Sequence, residues 1–213
     1  VQFSENALVI DETTDVLGTD LIAGRNHLLR VEAWRRDPAT GDCSLFSEYA
    51  GDIALKAWLT PSGAHPVAAV LPLITTTTAP ASLPNATPAS SNATLTFTGG
   101  VASLHLVSSD VGQYELTLLD DSSGMLKNSA GQPLPITGSS NQLTVRPFGI
   151  HLQVPGNPAA TSANGDAFVK AGDDFNVQAT AVQYDGADDA NGDGQPDAGA
   201  NLGNNAATPA FGT

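Results

Sequence analysis

The chain repeats itself at domain length. Ala23-Gly24, followed by Leu29, Val31 and Ala33, returns as Ala171-Gly172 followed by Val177, Ala179 and Ala181, at a constant offset of 148 residues. In both copies the apolar residues alternate with polar ones, the period of a strand that buries one face. The second copy runs for about 65 residues to the end of the sequence. A repeat of this kind predicts two related β modules joined end to end.

The same alternation recurs at 53–59, 67–74, 93–98, 101–107, 113–119 and 141–146, with Gly, Pro, Asn and Asp between the runs. No long amphipathic helix is legible. Gly99-Gly100 reads as a hairpin turn between two of these strands. The reading is all-β: tandem immunoglobulin-like antiparallel β-sandwich modules over 1–147 and 148–213, the second truncated. Asp110-Val-Gly112-Gln-Tyr114-Glu-Leu116 resembles the tyrosine corner of immunoglobulin-like domains, with Leu116 where antibody domains carry Cys. The Thr-, Pro- and Ser-rich stretch 75–92 predicts an extended, mobile loop, and Asn85-Ala-Thr87 and Asn92-Ala-Thr94 are formal glycosylation sequons on it. The strand that ends at Arg146-Pro147 leaves almost no linker, so a semi-rigid joint is expected.

Composition narrows the partners. With 22 acidic against 8 basic residues the net charge is −14, which disfavours nucleic acid and anionic membrane, and no apolar stretch has transmembrane length. Cys43 is alone, so no disulfide framework exists within the sequence; it reads as a buried thiol or as one whose partner lies elsewhere. Low Lys with abundant Thr, Ser, Asn, Ala and Gly is a composition associated with secreted bacterial surface proteins, and the sequence reads as an internal piece of a processed protein.

Val145-Arg-Pro-Phe148, Gly156-Asn-Pro-Ala-Ala160, Phe168, and Ala171-Gly172 with Phe175, Val177, Ala179 and Ala181 together resemble the domain of the MshQ-like proteins, associated with biogenesis of the mannose-sensitive haemagglutinin type IV pilus. The resemblance is strongest over 141–213 and extends through the repeat to 20–147. It implies an extracellular or cell-surface location and a pilus-linked, adhesive or structural role. It implies no catalytic residues.

One constellation carries chemistry. Asp189, Asn191, Asp193, Gln195 and Asp197 place oxygen ligands at alternate positions of the acidic loop 185–197, with Gly194 at the sixth position of the run. Ca2+ takes six to eight hard oxygens, and a tight loop supplies them with this spacing. Position twelve is Ala200 where a helix–loop–helix site carries Glu, so Asp185 or Asp188 is expected to complete the shell; the alternative is a solvated acidic hairpin loop. By the repeat offset the loop begins opposite the short turn at Asp37, an insertion between two strands.

The remaining candidates are weaker. His27, His65, His105 and His151 are scattered without metal-ligand spacing. Trp34 and Trp58 face outward on their strands, as a carbohydrate-stacking platform or as a cover for the sheet against a neighbouring loop or domain. Lys56, beside Trp58, lacks the burial that an isopeptide bond requires. No Gly-x-Ser-x-Gly turn or phosphate loop is present, and the chain reads as non-enzymatic. The expected partners are other domains of the same surface protein, pilus components, or a glycan. The second module's exposed strand edges call for completion by further sequence, by the first module or by another chain.

Overall fold

The alternating runs form strands whose apolar face is buried. In Asn26–Arg36, Leu29, Val31 and Ala33 are fully enclosed while Arg30, Glu32 and Trp34 are half-exposed. The computed structural model describes residues 6–12, 20–37, 40–63, 65–66, 69–75, 80–128, 130–162 and 164–212. Twelve strands among these build the first body: β1 (Asn6–Asp11), β2 (Asp20–Ile22), β3 (Asn26–Arg36), β4 (Cys43–Leu45), β5 (Gly51–Pro61), β6 (Leu73–Thr75), β7 (Ala81–Ser82), β8 (Ala93–Phe97), β9 (Val101–Val107), β10 (Gly112–Asp120), β11 (Ile136–Ser139) and β12 (Leu143–Arg146). One sheet runs β1-β3-β9-β6-β7 with β4 also on β3; the other runs β2-β12-β10-β5-β8 with β11 also on β10. All pairings are antiparallel except β2 with β12.

The inner faces of the two sheets meet in one apolar core. Leu8, Leu29, Val31 and Leu104 come from the first sheet and Leu55, Leu59, Tyr114 and Leu116 from the second. Each buried Leu contributes roughly 1.5–3 kcal/mol. Along one side β11 approaches β1 so closely that a Cβ on Gly138 would overlap the Leu8 carbonyl oxygen, which makes glycine obligatory there. The chain is an all-β, immunoglobulin-like sandwich in its first body, and the second begins with the hairpin β13 (Gly149–Gln153) and β14 (Gln178–Val182).

The duplication is visible in the backbone. Gly24 and Gly172 both occupy turns with φ of +86° and +93°, a region open to glycine at little steric cost. Leu8 pairs with Ala33 as Ile150 pairs with Ala181. The likeness continues to the end of the chain. The Phe46 N–H donates to the Ala33 carbonyl and the Tyr49 N–H to the Phe46 carbonyl; in the second body Thr208 donates to Ala181 and Phe211 to Thr208. Between these anchors, 13 positions separate Ala33 from Phe46 and 27 separate Ala181 from Thr208, so the acidic loop is an insertion at that point.

Several expectations are corrected. Of the run 67–74, only Leu73 and Ile74 lie in a strand, β6; residues 67 and 68 lie outside the described set, and 69–72 are not strand because the Ala69 N–H turns back to Pro66 and Pro72 has no N–H to give. Within 75–92, residues 76–79 lie outside the described set, and the two ends of the rest, 81–84 and Asn92, are held to the body while 85–91 run along the surface. β7 pairs with β6, Leu83 is buried, and the Asn92 side chain both donates to the carbonyl of Ala57 and accepts from its N–H, each at 2.8 Å. That pair of hydrogen bonds also engages the side-chain amide of Asn92, the acceptor residue of the second sequon. Gly99-Gly100 is a tight turn closed by Thr98 and Val101, yet β8 and β9 then part into opposite sheets, so it is an arch between layers and not a hairpin.

Candidate functional site

The acidic loop leaves β14 and closes on itself through side-chain oxygens that accept main-chain N–H groups. Asp189 accepts from Asp193 (Oδ1, 3.1 Å) and Gly194 (Oδ2, 3.0 Å), Asn191 from Asp193 at 3.0 Å, Asp193 from Gln195 at 2.9 Å, and Asp197 from Ala190 at 2.8 Å. Short Asp and Asn side chains make such turns because their oxygens reach the backbone two to five residues on. Gly192 and Gly194 take left-handed φ, which permits the reversals. The five sequence-selected residues are thus brought into one loop, with Asp189 buried and Asn191 and Asp193 exposed.

Asp188 and Asp185, the residues expected to complete a ligand shell, have structural tasks here. Asp185 caps the 3-10 turn Gly186–Asp188 by accepting from Ala187. Asp188 is buried; its Oδ1 accepts from Asn201 at 3.0 Å while its Oδ2 has no hydrogen-bond partner. Among the described residues no three His, Cys, Asp or Glu side chains stand close enough to hold a metal ion.

The loop sits against the joint between the modules. Arg146, the last residue of β12, binds Asp20 through Nε (2.9 Å), the Pro147 carbonyl through Nη1 (3.2 Å) and the Gly194 carbonyl through Nη2 (2.9 Å). Tyr184 donates its N–H to the Ala23 carbonyl at 2.7 Å, and its ring lies edge-on to Phe148 and 5.8 Å from the Arg25 guanidinium carbon. Gly24 is needed for this approach, since a Cβ there would stand 3.0 Å from Gln183 Cβ and 3.1 Å from the Tyr184 nitrogen.

Asp110 completes the joint, and sequence reasoning missed it. Fully buried, it accepts from Val111 (2.9 Å), Val70 (3.3 Å) and, across the joint, Ala210 (3.1 Å). The only signal in the sequence was its place at the start of the tyrosine-corner motif. Tyr114 itself is buried as expected, but its hydroxyl makes no hydrogen bond of ordinary geometry to a backbone turn. Its ring lies 4.8 Å from that of His65. Burial, reinforced by the Asp110 charge and opposed by Ser108, pushes the Tyr114 hydroxyl up to about 12. Burial lowers the His65 pKa, opposed by Asp110.

A second buried polar centre also went unseen. Tyr49, enclosed against Phe46 and Phe97, donates its hydroxyl to Asp120 Oδ2 at 2.8 Å. Asp120 in turn accepts from the Ser123 hydroxyl and from the N–H groups of Ser122 and Ser123.

The remaining candidates resolve simply. Trp34 is on β3 and Trp58 on β5, in opposite sheets and each facing outward, so they lie on opposite sides of the sandwich and cannot form one stacking platform. Lys56 pairs with Asp121 at 2.6 Å on the partly exposed surface. Cys43 is exposed, which corrects the buried-thiol reading. His27 is buried beneath the Ile22 turn, whose N–H donates to its Nε2 at 2.9 Å.

Comparison with known families gives two matches that together span most of the chain. The model described as a domain of unknown function, DUF6701, first Ig-like domain, matches residues 1–139, and that described as DUF6701, second domain, matches residues 146–213. No curated protein and no solved structure matches the chain.

Proposed function

The chain belongs to the DUF6701 family, and on that footing we propose that it is a non-enzymatic structural segment, a stiff two-module spacer in a bacterial cell-surface or pilus-associated protein of the MshQ-like kind. Such a segment holds adhesive or pilus-bound parts at a set distance and angle. The observation that carries this reading is the joint. Only Pro147 and Phe148 separate β12 from β13, Phe148 is buried, and hydrogen bonds from Tyr184, Ala210 and Arg146 cross between the modules. A short connection that is also bonded laterally leaves few interdomain angles accessible.

The test is a distance distribution between spin labels on Ser103→Cys and Thr161→Cys, with Cys43→Ser removing the native thiol. A single narrow distance that broadens in Asp110→Ala supports a spacer; a broad distribution in the parent protein sinks it. Surface placement is tested separately by antibody labelling of intact cells, and labelling only after permeabilisation counts against it.

A second reading gives the acidic loop to calcium, with Asp189, Asn191, Asp193 and Asp197 as side-chain ligands and Gln195 through its carbonyl. It is supported by their alternating oxygens in one loop and by the buried Asp188 Oδ2 that no donor satisfies. Bound Ca2+ would neutralise clustered carboxylates. The bond from Arg146 to Gly194 would pass that stiffening to the joint. In the corresponding ligand-binding alternative, glycan or protein capture through this loop is abolished by chelator.

A further inference from the structure

Two enclosed polar atoms converge beside the joint without hydrogen-bond partners. Tyr114 is fully buried and its hydroxyl is unpaired; His65, whose ring centre lies 4.8 Å from that of Tyr114, holds its Nδ1 enclosed and unpaired as well. Both crowd Gly112. A Cβ there would stand 2.8 Å from His65 Nδ1 and would overlap the Tyr114 hydroxyl, so the chain keeps a glycine where the two meet.

Buried orphans of this kind call for a physical reason. A neutral imidazole carries one N–H and a charged one carries two, so an enclosed Nδ1 with no partner is the bare nitrogen of the neutral ring. The seat suits the neutral form alone. Asp110 is the charge that acts on this ring. From the other elements around it, β10 adds the neutral Tyr114 and β12 brings Arg146 to the cleft wall beside Pro66, with its guanidinium already on Asp20. Neither 61–70 nor 206–212 carries another ionisable side chain.

Asp110 is also the fastening between the modules. Its Oδ1 accepts from Val111 at 2.9 Å and from Ala210 at 3.1 Å. Val111 is the next residue and moves with Asp110, whereas Ala210 belongs to the other body. We propose that His65 makes the joint acid-sensitive: a solvent proton taken up at Nδ1 turns the Asp110 carboxylate toward the imidazolium and away from the Ala210 N–H, which loosens the second module from the first. Burial holds the His65 pKa below its ordinary value near 6.5, opposed by the Asp110 charge. For a group whose folded pKa is lowered, the released form takes the proton first. What the neutral seat contributes is therefore complete above about pH 6.5 and is lost as pH falls from there through the folded value. This inference rests on the bonded joint of the spacer reading.

The test is amide exchange of the intact chain, followed by NMR at about pH 7.5 and about pH 5 and corrected for the pH dependence of the exchange chemistry. Protection of Ala210 should fall by about tenfold at the lower pH, as expected where a hydrogen bond to a charged group weakens. Leu29 and Leu104 in the first core should keep theirs. His65→Phe and His65→Gln, which cannot take the proton, should each hold Ala210 protection constant, and either suffices if the other fails to fold. Unchanged protection in the parent, a fall that persists in the variants, or an equal fall at Leu29 and Leu104 would each overturn the proposal. A narrow interdomain distance at neutral pH together with pH-independent protection of Ala210 sinks this inference and leaves the spacer reading standing.

Discussion

The N–H of Ala210 donates to Oδ1 of Asp110 at 3.1 Å, across 100 positions of sequence. A carboxylate with no exposure accepts two main-chain donors of its own body, Val70 and Val111, and one of the other, Ala210, and so fastens the two together. Removing it strands those donors, at about 1–3 kcal/mol each where they remain buried. Asp110→Ala is expected to lower unfolding stability by roughly 2–4 kcal/mol and Asp110→Asn by less, because one acceptor oxygen survives. Chemical denaturation checks the order; equal stability of all three proteins would remove Asp110 from the joint.

Gly24 and Gly172 form a controlled pair. Both have left-handed φ, so Ala at either costs about 1–2 kcal/mol of backbone strain. Gly24 alone has Gln183 and Tyr184 within 3.0–3.2 Å of the added Cβ, while Gly172 has nothing within 4 Å. Gly24→Ala should therefore be the more destabilising and should broaden the interdomain distance distribution, whereas Gly172→Ala should leave that distribution unchanged.

The contrast between these glycines marks what a sequence reveals. The turn geometry and the alternating strand were legible because both are local: a glycine where φ is positive, and apolar residues two apart. The match of 206–208 to the segment around β4 was not, because Leu45-Phe46 and Ala207-Thr208 share a backbone hydrogen-bond pattern but no side-chain type. The outward faces of Trp34 and Trp58 were readable from alternation, whereas their placement in opposite sheets depends on long-range pairing. The acidic loop was legible for the same local reason as the turns, since Asx bonds span only a few residues. Asp110 looked like an ordinary turn residue because its decisive partner is distant in sequence.

Calcium binding, if the loop performs it, should appear as stability. A ligand at a hundredfold its Kd adds about 2.7 kcal/mol, a rise of several degrees in Tm for a chain of this size. Asp193→Ala should abolish the increment while lowering the Tm in chelator by only a few degrees, because the bonds it loses, from the Gln195 N–H and the Asn191 side chain, are exposed. Identical melts with calcium and with chelator would leave the loop as a hydrogen-bonded turn alone.

Alkaline pH should expose the buried tyrosines. Burial, with the Asp120 hydrogen bond and charge adding to it, raises the Tyr49 pKa far above its ordinary value near 10, and Tyr114 is pushed up to about 12. For a group whose folded pKa is raised, the unfolded chain loses its proton first. The stabilising contribution is therefore complete below about pH 10 and declines as pH rises from there through the folded values. Tyr49→Phe should cost roughly 1–3 kcal/mol at neutral pH, because Asp120 loses a donor in a buried site. Its stability should then fall less steeply than the parent's above about pH 10. Denaturation curves from pH 7 to 11 check both, and parallel slopes for the two proteins would show that Tyr49 ionises freely in the folded state.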